Sequence, residues 1–118
     1  MSSIFEPIEI NDMKVSNRIT RSATNDRWAD NFGKVTAGLI HVYEALARGG
    51  VGLIVTGHAY VTPNGKAGSN MLGVYDDSLV PGLKSLTDAV HKYDSKFVLQ
   101  INHAGRQTAS ARSGRLAP

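Results

Sequence analysis

The sequence predicts an α/β protein built on a parallel sheet. Two observations support that class: two stretches carry apolar residues at helical spacing, and short apolar runs with β-branched residues lie before, between and after them. A strand, a helix and a second strand in that order make a right-handed crossover, so the joined strands are parallel. Two such units in succession set three strands side by side, either as a slice of a (β/α)8 barrel or as a piece of an open doubly wound sheet.

Each element has its own reason. Ile8-Glu9-Ile10 and Met13-Lys14-Val15 alternate apolar and polar residues around Asn11-Asp12, which is hairpin chemistry. Arg18-Ile19-Thr20-Arg21 follows as a strand that ends in the polar stretch Ser22-Ala23-Thr24-Asn25. Thr36 can cap a helix carrying Leu39, Ile40, Tyr43, Leu46 and Ala47, which Gly49-Gly50 terminates. Residues 51–56 are apolar without alternation, as in a strand covered on both faces. After an Asn64-Gly65 turn, Asp77 or Ser78 can cap a second helix with Leu79, Leu83, Leu86, Val90 and Tyr93 on one stripe. Lys96-Phe97-Val98-Leu99-Gln100 is the third strand, and the tail to Pro118 has loop composition.

Composition narrows the function classes. The 118 residues are 42% hydrophobic, enough for one core and too few for two independent domains. A net charge of +3, from 13 basic and 10 acidic residues without a run of like charge, speaks against a nucleic-acid tract. No cysteine is present, which removes disulfides, thiolate metal sites and cysteine nucleophiles from these residues. The N-terminus lacks the basic and apolar regions of a signal peptide, and no apolar run is long enough for a membrane span, so the expected location is the cytoplasm.

In either arrangement of a parallel sheet, ligands collect at the carboxyl ends of the strands. Those exits are Ser22-Ala23-Thr24-Asn25, Gly57-His58-Ala59-Tyr60 and Gln100-Ile101-Asn102-His103, all rich in small or hydrogen-bonding residues. Small residues let a flat ligand approach the backbone, and an amide such as Gln100 can pair with a heterocycle that offers a donor beside an acceptor. Loops are wet in any case, and pattern alone does not identify a ligand. Gly49, Gly50 and Gly52 precede a strand, whereas a dinucleotide fingerprint follows one, so a Rossmann site is not expected. His41 and His91 fall on the helices as surface groups, while His103 and Arg106 are expected to fix their loop.

Several separated motifs point further. Phe5-Glu6-Pro7-Ile8, Asn17-Arg18-Ile19, Arg21-Ser22-Ala23-Thr24, Gly50-Val51-Gly52-Leu53-Ile54, Pro63-Asn64-Gly65 and Gln100-Ile101-Asn102-His103-Ala104-Gly105-Arg106 resemble, in order, landmarks of the old yellow enzyme family. The resemblance implies a partial (β/α)8 TIM barrel: an N-terminal hairpin, strands 1 to 3 and helices 1 to 2, with residues 1–118 forming the first segment of a single FMN-binding domain. It implies FMN as cofactor, NAD(P)H as reductant, and hydride transfer to an activated alkene or similar acceptor. Ser22, Ala23, Thr24, Asn25, His58 and Gln100 match cofactor-binding positions, and Arg27 stands where some relatives place a substrate-contacting tyrosine. Asn25 replaces the cysteine or threonine of many relatives, and His58 replaces a small residue. A barrel takes about 250 residues, so the phosphate-binding loops and the proton donor are expected beyond residue 118. A small-molecule substrate and a homo-oligomer are expected, without nucleic acid, membrane or metal. The alternatives are a non-catalytic module of the same fold, or another barrel enzyme binding a phosphorylated ligand.

Overall fold

Main-chain pairing in the computed structural model, which describes residues 3–108, sorts seven short strands into three groups. β1 (Ile8–Ile10) and β2 (Met13–Val15) form the antiparallel hairpin expected from their alternation, turning at Asn11, whose φ is 50°. β3 (Thr20–Arg21), β4 (Leu53–Val55) and β6 (Lys96–Val98) form a parallel sheet in the order β3-β4-β6. The helix α1 (Ala37–Arg48) joins the first two and α2 (Val80–Val90) joins the next two, giving the two crossover units.

The core lies between this sheet and the helices. Ile54 of β4 is fully buried together with Leu39, Tyr43, Leu86 and Val90 of α1 and α2. Its neighbours Leu53 and Val55 are only half-buried, so the strand is sealed on its helix-facing side and partly open on the other, not covered on both faces as its composition suggested. Thr36 caps α1 as expected, its hydroxyl accepting from Leu39 N at 3.1 Å.

Several boundaries differ from the sequence reading: the strand expected over residues 51–56 is paired only at Leu53–Val55, and α2 ends at Val90, which leaves Tyr93 in the turn after it. The first sheet strand is two residues long rather than four, because Ile19 N donates to the Asn17 side chain and Ile19 O accepts from Gly52 N and Leu53 N ahead of the ladder. The cap before α2 is Asp76, not Asp77 or Ser78: its carboxylate accepts from Ser78 N at 2.9 Å and opens a 3-10 turn, Asp77–Leu79. Hydrogen bonding from the Ser78 side chain, then from Ser78 N, holds the Asp76 carboxyl below the usual carboxylate range. The third strand does not run unbroken to Gln100. It stops at Val98, and Ile101–Asn102 (β7) pairs separately and in parallel with Ala59–Tyr60 (β5), as Gln100 N turns to the Thr56 hydroxyl at 3.1 Å. The expected loop tail falls outside the described residues beyond position 108.

Candidate functional site

The ladder fixes which strand ends lie together. Leu53, Ile54 and Val55 pair with Lys96, Phe97 and Val98, and Thr20 and Arg21 pair with Leu53 and Ile54, so the three exits emerge at one edge of the sheet. Past the ladder the chains stay in contact: Thr56 N donates to Val98 O at 2.9 Å, and Ala59 N donates to Gln100 O at 2.8 Å. On the other side, a Cβ placed on Gly57 would meet Thr24 O at 2.5 Å, a distance that no side chain tolerates. Ser22, Ala23, Thr24, Asn25, Gly57, His58 and Gln100 therefore share one edge.

Their side chains differ in availability. Ser22, Thr24, Asn25 and Gln100 are exposed, and the amides of Asn25 and Gln100 make no hydrogen bond among the described residues. Ala23 is half-buried. His58 is half-buried with Nδ1 3.4 Å from the Asn102 amide nitrogen, and its Nε2 is covered without a hydrogen-bond partner among the described residues. A ligand reaches that nitrogen only after the ring turns. Arg27 is exposed at the flank of the site, with φ at 55°, a left-handed conformation uncommon for a side-chain-bearing residue. His103 fixes its loop as expected, with Nδ1 accepting from Gly105 N at 3.0 Å, whereas Arg106 is exposed and makes no hydrogen bond among the described residues. His41 is exposed on α1, whereas His91, also exposed, lies just past α2 as its C-cap rather than on the helix.

Beneath the exits lies a polar cluster that helical periodicity conceals. Tyr43 sits on the buried stripe of α1, yet its hydroxyl accepts from Gly57 N at 2.8 Å and donates to the Asp26 carboxylate in a short hydrogen bond. Its ring packs against Phe97 with centroids 5.2 Å apart, and the Arg21 guanidinium carbon lies 5.6 Å from its centroid on the cation–π side. Arg21 Nη1 is covered with no hydrogen-bond partner among the described residues, so the aromatic face is its compensation. Arg21 opens the motif at the first exit and Asp26 directly follows that exit, which is the one signal in the sequence that points to them.

Burial, then the Asp26 hydrogen bond, pushes the Tyr43 phenol up to about 12, and burial followed by the stacked Tyr75 pushes Tyr60 up to about 12. The unfolded chain releases these protons near 10, before the folded protein does, so stability from both groups is intact below pH 10 and is lost as pH rises towards 12. Replacing each tyrosine by Phe and subtracting the phenolate titrations isolates the two groups. Each should ionise near pH 12, and ionisation near pH 10 would refute the assignment.

The chemistry of the exposed set suits a planar, amide-rich heterocycle: two unpaired amides and two hydroxyls supply donors and acceptors on the exits of β3 and β6, which flank that of β4, and Gly57 lets the loop after β3 lie close against the β4 exit. No helix among the described residues is long and apolar enough to cross a membrane, and they hold no group of His, Cys, Asp and Glu suited to a metal ion. Residues 3–116 match the NADH:flavin oxidoreductase / NADH oxidase family. The NADH oxidase of Thermoanaerobacter brockii is 38% identical over 117 residues, which is 98% of this chain and 18% of that protein. Among solved structures, a 2-naphthoyl-CoA reductase superposes with a TM-score of 0.88 at 32% identity, covering 94% of this chain and 17% of that one. The old yellow enzyme homologue from Zymomonas mobilis gives a TM-score of 0.84 at 26% identity, covering 99% of this chain and 32% of that one. The chain thus spans between 17% and 32% of these relatives, and its crossover units correspond to part of a (β/α)8 barrel rather than to an open doubly wound sheet. With its motifs, its strand order and its match over residues 3–116 in agreement, the chain belongs to the NADH:flavin oxidoreductase / NADH oxidase family.

Proposed function

We propose that the full-length protein is an FMN-dependent NAD(P)H oxidoreductase of the old yellow enzyme type, and that residues 22–25 and Gln100 supply part of its cofactor site. The observation that carries this reading is the pair of exposed, unpaired amides, Asn25 and Gln100, on exits brought to one edge of the sheet. The chemistry FMN supplies when bound is hydride transfer, taken from NAD(P)H and delivered to an activated alkene or similar electron-poor acceptor. Gln100 offers a donor and an acceptor on one planar group, which matches a pyrimidine edge. Ser22, Thr24 and Asn25 present hydroxyl and amide groups from the exit of β3, on the far side of β4, and Ala23 leaves room between them. His58 contributes main-chain atoms, because its ring Nε2 is covered. Arg27, exposed at the flank, contacts the acceptor. We place the protein in the cytoplasm as a homo-oligomer acting on a small-molecule substrate.

Titration of the full-length apoprotein with FMN, read by flavin fluorescence, tests the cofactor. Binding with a shifted visible spectrum is expected, and its absence would leave a non-catalytic module of the same fold. Gln100→Leu should weaken FMN binding by about 1 to 3 kcal/mol, because the ligand edge loses its paired amide. An unchanged affinity would remove Gln100 from the site.

A further inference from the structure

Tyr43 lies outside every position that the family motifs mark, yet its hydroxyl joins two of the segments that form the site. We infer that Tyr43 is a positioning residue: its hydroxyl, bridging the Asp26 carboxylate and Gly57 N, locks the loop after β3 against the exit of β4 and so sets where residues 22–25 present their polar groups. As a statement about cofactor placement, the inference rests on the FMN reading above.

The direction of the bonds supports it. A phenol has one proton and lone pairs, a carboxylate only accepts, and a backbone N–H only donates. The proton therefore goes to Asp26 and a lone pair takes the Gly57 N–H, so both bonds hold at once only while the phenol is neutral. Burial and the Asp26 bond keep it so up to about pH 12. The two anchored residues are in the right places. Asp26 directly follows Asn25, and Gly57 touches Thr24 O so closely that a Cβ there would lie 2.5 Å from it. Ring packing on Phe97 and under Arg21 seats the hydroxyl from below, and phenylalanine keeps both of those contacts.

Tyr43→Phe in the full-length protein separates positioning from packing. The fold is retained, FMN affinity falls about tenfold, the circular dichroism of the bound flavin changes, and amide exchange quickens at residues 22–26 and at Gly57. Asp26→Asn gives a similar loss, and the double variant loses no more than either single one, because both break one lock. Retained affinity and flavin dichroism with a lowered melting temperature alone would overturn the inference. Should the parent protein bind no FMN, the functional reading fails by itself, and amide exchange still judges the lock: faster exchange at both segments supports it, and a change confined to α1 overturns it.

Discussion

Gly57→Ala in the full-length protein is expected to lower stability by about 3 kcal/mol and to abolish tight flavin binding. The reason is contact with main chain rather than a pliable side chain. The new methyl would meet Thr24 O at 2.5 Å and Asp26 Oδ2 at 3.1 Å, so either the loop after β3 or the exit of β4 must move. Moving either one stretches the hydrogen bond between Gly57 N and the Tyr43 hydroxyl. Chemical denaturation and FMN titration of the variant check both parts. A variant with the parent's unfolding midpoint and affinity would show that the two exits are not in contact.

Asn17→Ala should cost about 2 to 4 kcal/mol, although the side chain is small and only half-buried. Its Oδ1 accepts from Ile19 N and from Gly52 N, both at 3.0 Å, and its Nδ2 donates to Gly50 O at 2.6 Å. Two of these bonds tie the entry of β3 to the entry of β4 at the end of the sheet opposite the site, and the third fixes the Asn17 side chain against Ile19. The same contact explains Gly52, where a Cβ would meet Asn17 Oδ1 at 2.6 Å and Asn17 O at 2.8 Å. Alanine would leave two backbone N–H groups short of an acceptor, which is why the expected cost exceeds that of one average hydrogen bond. Because the loss falls at the strand entries, it should appear in the denaturation midpoint and leave the flavin affinity of the folded protein close to that of the parent. A loss of less than half a kcal/mol, within the range of ordinary surface substitutions, would contradict the assignment.

These two residues also show where reading a sequence stops. Asn17 and Gly52 both belong to recognisable motifs, but neither motif says that one residue holds the other. Their sequence separation of 35 is bridged only when β3 and β4 pair. Gly57 was legible as a small residue at a strand exit, whereas its partner Thr24 O was not. The pairing of Ala59–Tyr60 with Ile101–Asn102 has no signature in the sequence because two-residue strands carry no periodicity. Asp76, Asp77 and Ser78 are all of types that cap helices, so composition does not choose among them, and the choice depends on where the preceding loop delivers the chain.

What the sequence determined by itself was local and periodic: the hairpin about Asn11, the helices α1 and α2 with their buried stripes, the Thr36 cap, and the parallel sense of the three sheet strands. Each follows from spacing within a dozen residues or from the handedness of a crossover. Only the tertiary structure decided the orientation of the polar groups: Asn25 and Gln100 free at the exits, the His58 ring turned against Asn102, and Tyr43 reaching from an apolar stripe to Asp26 and Gly57. The physical reason is that apolar periodicity records which face of an element leaves water, while a hydrogen bond depends on where a second, distant segment places its partner.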